Sequence, residues 1–100
     1  MIRLSRKVFI SPETTFTDPG DTASSNLVFN HNLGSDYISV EGQYTFDSGV
    51  TWRKYPGYFS TGATNRGFLV FDIDATSIRI NRYRIVAGTS ITRFILVRED

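Results

Sequence analysis

The side chains that could carry acid–base or metal chemistry in this chain are one histidine and a scattered set of aspartates. His31 is the only histidine, and the sequence contains no cysteine. A metal centre or a nucleophile–base pair needs several such groups converging on one point. His31 would therefore need carboxylates to complete either kind of site. We expect it instead to cap a turn by hydrogen bonding to the backbone near Leu33 or Asp36.

The aspartates fall in predicted turns and at strand ends, at Asp18, Asp21, Asp36, Asp47, Asp72 and Asp74. Calcium sites gather oxygen ligands of this kind on tight loops, and a glycosidase-type hydrolase uses two carboxylates. The sequence has no D-x-D-x-D-G spacing, and nothing in it pairs two of these residues. We therefore expect them to cap turns and face solvent, and we predict no metal, no cofactor and no enzymatic activity.

A short aromatic segment is the best candidate for a binding surface. It contains Trp52, Tyr55, Tyr58 and Phe59, with Arg53 beside the tryptophan. Aromatic faces flanked by hydrogen-bonding groups stack on sugar rings or anchor protein interfaces. The alternative is that Trp52 belongs to the core and the tyrosines cover a sheet edge.

Arginines decorate the last two predicted strands, at Arg79, Arg82, Arg84, Arg93 and Arg98. If these strands paired as a hairpin, several arginines would share one face. A nucleic-acid groove also needs exposed aromatics between the arginines, and here only Tyr83 supplies one. The net charge is +1, from 11 basic and 10 acidic residues, which gives no long-range attraction to nucleic acid or an anionic membrane. We expect a solvated face or cross-subunit ion pairs, with no nucleic-acid or membrane partner.

The clearest strand pattern, which must position many of these groups, lies between Asn30 and Phe46. One side of the alternation is apolar, at Ile38, Val40, Tyr44 and Phe46, and the other is mostly polar. This period of two predicts a half-buried antiparallel strand. The turn His31-Asn32-Leu33-Gly34 leads into it. We expect Leu33 to tuck under the core and His31, Asn32 and Gly34 to have structural roles.

Further strands recur along the chain with turn signals between them. Asp47-Ser48-Gly49 predicts a hairpin loop with a bulge at Gly49, followed by a return strand from Val50 to Lys54. The other predicted strands are Val8–Ile10, Asn26–Asn30, Phe68–Ile73, Ser77–Val86 and Ile91–Val97. Two segments are expected as loops: Pro12 to Ser25, and Tyr55 to Gly67 with a short strand around Tyr58 and Phe59.

Two strands carry apolar residues on both of their faces. In Ser77–Val86 the apolar phase changes along the strand, and a bulge near Asn81-Arg82 would reconcile the two phases. Ile91–Val97 is apolar throughout, which predicts a position in the centre of a sheet or at an interface.

The length of 100 residues suits a single domain over residues 1–100. Residues 1–7 are expected to form either an ordered arm or a frayed terminus. No helical period appears, so we predict an all-β antiparallel β-sandwich, jelly-roll or immunoglobulin-like, with about seven to eight strands. The first ten residues lack the apolar segment of a secretory signal, and no run of 18 apolar residues could span a membrane.

The central stretch resembles small β-sandwich domains of tailed-phage virion proteins, which occur in tail fibres and baseplate-associated components. The resemblance rests on a strand, the His31–Gly34 turn HNLG, and the alternating strand Asp36 to Val40. In that group a later run and a basic-apolar strand close the domain, parts that Phe68–Ile73 and Thr89–Val97 take here. The chain departs from the pattern in its aromatic and glycine-rich loop, Tyr55 to Gly67.

The resemblance implies a non-enzymatic structural protein of a phage virion, such as a capsid-decoration, tail or fibre component. It would be assembled in the host cytoplasm, with copies of itself and other virion proteins as partners. Its interfacial residues would be the aromatic segment and a terminal arm around Ile2 and Leu4. The alternative is a carbohydrate-binding or lectin-like receptor-binding domain, since H-type-lectin-like sandwiches share the strand rhythm. Trp52, Tyr55 and Tyr58 would then stack on a surface glycan.

Overall fold

A computed structural model of the chain describes residues 7–18, 24–60, 65–83 and 88–100. These residues form nine β-strands and no helix. The strands are β1 (Val8–Ile10), β2 (Thr14–Asp18), β3 (Ser24–Asn30), β4 (Ile38–Thr45), β5 (Arg53–Lys54), β6 (Phe59–Ser60), β7 (Asn65–Ile73), β8 (Ser77–Tyr83) and β9 (Gly88–Arg98). No helix in this described part is long and apolar enough to cross a membrane.

The strands form two antiparallel sheets, which confirms the predicted all-β sandwich. In sheet A, the long strand β9 lies between β4 on one side and β1 and β2, which pair with successive stretches of it, on the other. The short strand β5 extends sheet A beyond β4. Sheet B has the order β3-β8-β7-β6. The central position predicted for the last strand is therefore confirmed.

The core lies between the two sheets and follows the alternation of their central strands. Its fully buried apolar side chains come from β8, β9 and the turn before β4, at Leu33, Ile78, Ile80, Phe94 and Leu96. Half-buried side chains from β1, β3, β4 and β7 pack around this cluster. Burial of Leu33, at 5% exposure, confirms that this turn residue tucks under the core.

Three local predictions are wrong. The segment from Pro12 to Ser25 contains β2, because its β-branched threonines pair with the start of β9. The return strand predicted from Val50 to Lys54 is only Arg53–Lys54, and Val50 is 84% exposed. The preceding loop is held instead by Asp47, whose Oδ1 accepts hydrogen bonds from Thr51 N at 2.8 Å and Thr45 Oγ1 at 2.6 Å.

The predicted bulge is the third correction. It lies in β7, between Val70 and Asp72, rather than near Asn81-Arg82. The inward phase of β8 continues from Ile78 and Ile80 to Arg82, which is buried. Other predictions fall outside the described residues: the arm around Ile2 and Leu4, the turn role of Asp21, the position of Arg84, and the end of the predicted strand Ser77–Val86.

Candidate functional site

His31 is buried, and both of its ring nitrogens bind backbone groups. Nδ1 accepts a hydrogen bond from the Leu33 N–H at 3.0 Å, and Nε2 lies 3.0 Å from the carbonyl oxygen of Asp74. Because a backbone N–H can only donate and a carbonyl can only accept, these contacts fix the neutral tautomer with its proton on Nε2. The predicted capping role is confirmed, and no ring nitrogen is left for a ligand.

The turn that follows His31 docks on the turn between β7 and β8. Asn32 N donates to Thr76 O at 3.1 Å, and Gly34 N donates to Ala75 O at 2.8 Å. Asn32 and Gly34 have φ values of 53° and 77°, in the left-handed region that asparagine tolerates and glycine prefers. Gly49, with φ 89°, has the same role in the loop after β4. These φ values agree with the turn positions that the sequence predicts for Asn32, Gly34 and Gly49.

Asp74 organises the β7–β8 turn against which His31 packs. Its Oδ1 accepts hydrogen bonds from the backbone N–H groups of Thr76 at 2.8 Å and Ser77 at 2.7 Å. These bonds, from Thr76 first and Ser77 second, favour the charged carboxylate and lower the pKa of Asp74 to about 2. Asp74 is therefore a turn cap, as the sequence predicted for the aspartates.

The end of the chain completes this cluster of turns. Arg98 donates from Nη1 to the carbonyl oxygen of Leu33 at 2.9 Å and from Nε to Asp100 Oδ1 at 2.7 Å. Ser35 Oγ donates to Asp100 Oδ2 at 2.9 Å. The Arg98 bond is the main cause of a lowered pKa at Asp100. His31, Asp74 and Arg98 thus hold the turns at one end of the sandwich together.

Replacing His31 with alanine should destabilise the fold by about 2 kcal/mol, because it leaves the buried Leu33 N–H without its acceptor. The effect should appear in urea denaturation as a lower midpoint with an unchanged slope. Asp36→Ala is the control for a general effect of altering the turn, and it should cost less because Asp36 is exposed and does not have a positive φ. Equal losses for the two variants would contradict the role given to the His31 ring.

Asp74 should titrate with a midpoint near 2 in the folded protein, against an ordinary value of 3.8. Since the folded-state pKa is lowered, the stability from this carboxylate is fully present above pH 5 and is lost as the pH falls toward 2. NMR titration of the Asp74 carboxyl carbon measures the midpoint directly. Asp74→Asn should flatten the acid limb of the stability curve relative to the wild type. An Asp74 midpoint near 4 would contradict the capping geometry.

The aromatic segment predicted as one binding surface is divided among three environments. Trp52 lies on the outer face of sheet A, where the Arg93 guanidinium carbon sits 3.7 Å from the centre of its ring. Tyr58 packs against Tyr83, on the outer side of sheet B, with ring centres 5.2 Å apart. Phe59 is exposed on the edge strand β6, and Arg53 is exposed on β5. Because the two sheets have opposite outer faces, Trp52 and Tyr58 cannot share one platform.

Tyr55 is a core residue, so its assignment to a binding surface is wrong. Its side chain is 1% exposed and contacts the rings of Phe68 and Phe94 at centroid distances of 6.0 and 6.3 Å. Its hydroxyl donates to the carbonyl oxygen of Tyr83 in sheet B. Burial of a tyrosine with its hydroxyl satisfied stabilises the core and excludes contact with a ligand.

The arginines do not form one face either, because β8 and β9 belong to different sheets. Arg79 lies on the outer face of sheet B, and Arg93 lies on the outer face of sheet A. Arg82 is 1% exposed between the sheets, with its guanidinium carbon 3.9 Å from the centre of the Phe16 ring. The solvated role predicted for Arg82 is therefore wrong. The signal for its burial was its phase, two and four residues after Ile80 and Ile78.

A contiguous aliphatic surface on sheet A is the most prominent unexplained feature. Val8 and Ile10 of β1 lie directly opposite Val97 and Ile95 of β9. All four point away from the core, because Phe94 and Leu96 of the same strand point into it. Val8 is 53% and Ile10 is 57% exposed. We call these four residues the outer aliphatic patch. The sequence indicated its β9 half through the two-sided apolar pattern.

Comparison with protein-family models, with curated proteins and with solved structures finds no match for this chain. Within the described residues, no group of three or more histidine, cysteine, aspartate or glutamate side chains is placed to hold a metal ion. The exposed surfaces of the sandwich are the remaining candidates for a functional site.

Proposed function

We propose that this chain is a non-enzymatic structural subunit of a tailed-phage virion that works by assembling with neighbouring protein subunits. The observation that carries the proposal is the outer aliphatic patch. Soluble domains rarely expose adjacent large aliphatic side chains, and patches of this kind mark interaction surfaces. Val8 and Ile10 each keep more than half of their surface in water, which is a cost that a protein partner would remove.

The scaffold beneath the patch suits a static binding role. Val97 and Ile95 belong to the central strand of sheet A, which pairs on both sides. The end of that strand is tied to the His31 turn through Arg98. A surface on a rigid strand loses little conformational entropy when it binds, so more of its burial energy contributes to affinity.

A glycan-binding role has less support from the geometry. Arg93 covers one face of the Trp52 ring, Tyr55 is inside the core, and Tyr58 lies on the other sheet. Sugar recognition by stacking needs aromatic faces open to solvent on one surface. Assembly through the outer aliphatic patch requires no rearrangement of the fold, because Val8 and Ile10 are already exposed. It also agrees with the virion role that the HNLG resemblance implies.

The test is whether the chain is incorporated into the virions of the phage that encodes it. Ile10→Glu places a charge in the centre of the patch, and Val28→Glu places the same charge at an equally exposed position, 62%, on sheet B. Quantitative mass spectrometry of purified particles should show the wild type and Val28→Glu at equal occupancy and Ile10→Glu strongly depleted. Absence of the wild-type chain from particles would overturn the virion role.

A further inference from the structure

We infer that the outer aliphatic patch binds the same patch on a second copy of this chain, face to face and with the β9 strands antiparallel. This inference rests on the proposed function, and it identifies the partner that binds the outer aliphatic patch. Three observations select a second copy: the position of the patch, the charges on either side of it, and the size of the sheet that carries it.

The charges on the outer face are arranged so that the surface complements itself. The patch is centred between Ile95 and Val97. Arg93 lies three positions before that centre and Glu99 lies three positions after it. The Glu99 carboxylate is held on this face by Ser39 Oγ, at 2.7 Å, and Arg93 is held there by Gln43 Oε1, at 2.8 Å. Each charge is therefore about 10 Å from the patch centre, at about 3.3 Å per residue.

We place a two-fold axis between the facing A sheets of the two copies, parallel to the sheets and perpendicular to their strands. This axis reverses the direction of β9 in the second copy. Centring the patch on itself then places Arg93 of each copy opposite Glu99 of the other. The same ion pair forms twice, as the self-complementary surface of a symmetric dimer requires. A second axis, along the strands, would set Arg93 against Arg93, and this repulsion selects the antiparallel arrangement.

One further basic side chain lies at the Arg93 end of the face. Lys54 pairs with Gln43 in sheet A and so lies level with Arg93. Glu41 lies opposite Ile95, beside the centre of the patch and at neither end. A partner with a uniformly acidic or uniformly basic surface would meet repulsion at one end of this face. A second copy in the antiparallel arrangement avoids this repulsion.

The size of the face suits a weak, reversible dimer. The five strands of sheet A contain 29 residues, which at about 3.3 Å along a strand and about 4.8 Å between strands give a face of about 460 Å². Two such faces would bury about 900 Å² in total, which is the size of a transient interface. We therefore expect a reversible dimer with a dissociation constant in the micromolar range.

The experiment is sedimentation equilibrium of the full chain over a wide concentration range. The wild type and Val28→Glu should dimerise equally. Ile10→Glu should weaken dimerisation by on the order of 100-fold, because it buries an unpaired charge. Far-ultraviolet circular dichroism and thermal unfolding show whether each variant is folded. A monomeric wild type, or equal effects of the two glutamates in folded variants, would overturn the inference.

A charge-reversal cycle tests the orientation. Arg93→Glu alone and Glu99→Arg alone should each weaken the dimer by about tenfold, because each creates two repulsive pairs in the symmetric complex. The double variant restores both pairs and should recover wild-type affinity. A double variant as weak as the singles would overturn the antiparallel arrangement.

The particle assay separates this inference from the proposed function. A chain that is monomeric in solution but needs Ile10 for incorporation binds a different virion protein through the patch. That result would overturn the second-copy partner and support the virion role. A chain that dimerises through the patch but is absent from particles would support the dimer and overturn the virion role.

Discussion

Replacing Arg82 with alanine should lower the free energy of unfolding by about 4 kcal/mol. The side chain crosses the interior from β8 of sheet B to Phe16 on β2 of sheet A. Alanine removes most of its volume from a site that is 1% exposed and leaves a cavity between the sheets. It also removes the cation–π contact with Phe16, which is worth up to about 2 kcal/mol when shielded from water. Urea denaturation measures the loss.

Arg79 is the matched control for this prediction, since it lies on the same strand with its side chain in solvent. Arg79→Ala should change stability by less than about 0.5 kcal/mol. An Arg82→Ala loss no larger than that would contradict the burial of Arg82. The pair therefore separates the position of the side chain in the fold from its effect on strand propensity, which is the same for both.

Arg82→Met distinguishes the packing role from the charge. Methionine fills much of the same volume without a charge, and such replacements of buried charges are often neutral or stabilising. We expect Arg82→Met to remain within about 1.5 kcal/mol of the wild type. A loss as large as that of alanine would show that the guanidinium itself, through its polar contacts, holds the two sheets together.

The contrast between Arg79 and Arg82 shows where sequence patterns stop being informative. The period of two placed both residues on β8 and would have assigned Arg82 to the inner phase with Ile78 and Ile80. Composition argued the opposite, because arginine is rarely fully buried. Burial depends on Phe16, which lies 66 positions earlier on a strand that the polar composition of its segment concealed. A contact of that range has no local signal.

Local signals did predict the turns well. The HNLG turn contains an asparagine and a glycine at positive φ, a histidine with a nearby backbone donor, and one apolar residue that must be buried. Each of these preferences acts within a few residues. The prediction of a return strand after Gly49 failed for a related reason. Asp47 accepts a hydrogen bond from Thr51 N, and this bond keeps the chain in a loop. Side-chain hydrogen bonds of this kind compete with strand pairing for the same backbone groups, and the local sequence does not show which of the two is more stable.

The predicted aromatic surface failed because of a glycine on another strand. Gly42 of β4 has no side chain to fill the core, and the Tyr55 side chain occupies the space above it. The Tyr55 N–H also donates a hydrogen bond to Gly42 O at 2.7 Å. The rings of Phe68 and Phe94 close the same space, 5.3 Å apart in an edge-on contact. Periodicity within one strand cannot show that a neighbouring strand lacks a side chain.

Gly42→Ala should therefore destabilise the fold by about 3 kcal/mol, near the upper end for an overpacked core. A Cβ at this position would lie 2.8 Å from Tyr55 Cβ and 3.0 Å from Phe94 Cε1. Neither neighbour can swing away, since one is fixed to the backbone and the other is buried. The gain of roughly 0.5–1 kcal/mol from replacing a glycine within a strand offsets only part of this cost.

Gly57→Ala is the matched control, because nothing lies within 4 Å of the Cβ that it would add. It should change stability by less than about 0.5 kcal/mol. Phe68→Leu should relieve part of the Gly42→Ala loss in the double variant, because Phe68 Cε1 is the third close neighbour, at 3.1 Å. Such coupling is expected between residues in contact and absent between distant ones. A mild Gly42→Ala variant, or strict additivity with Phe68→Leu, would show that Tyr55 does not owe its buried position to the missing side chain.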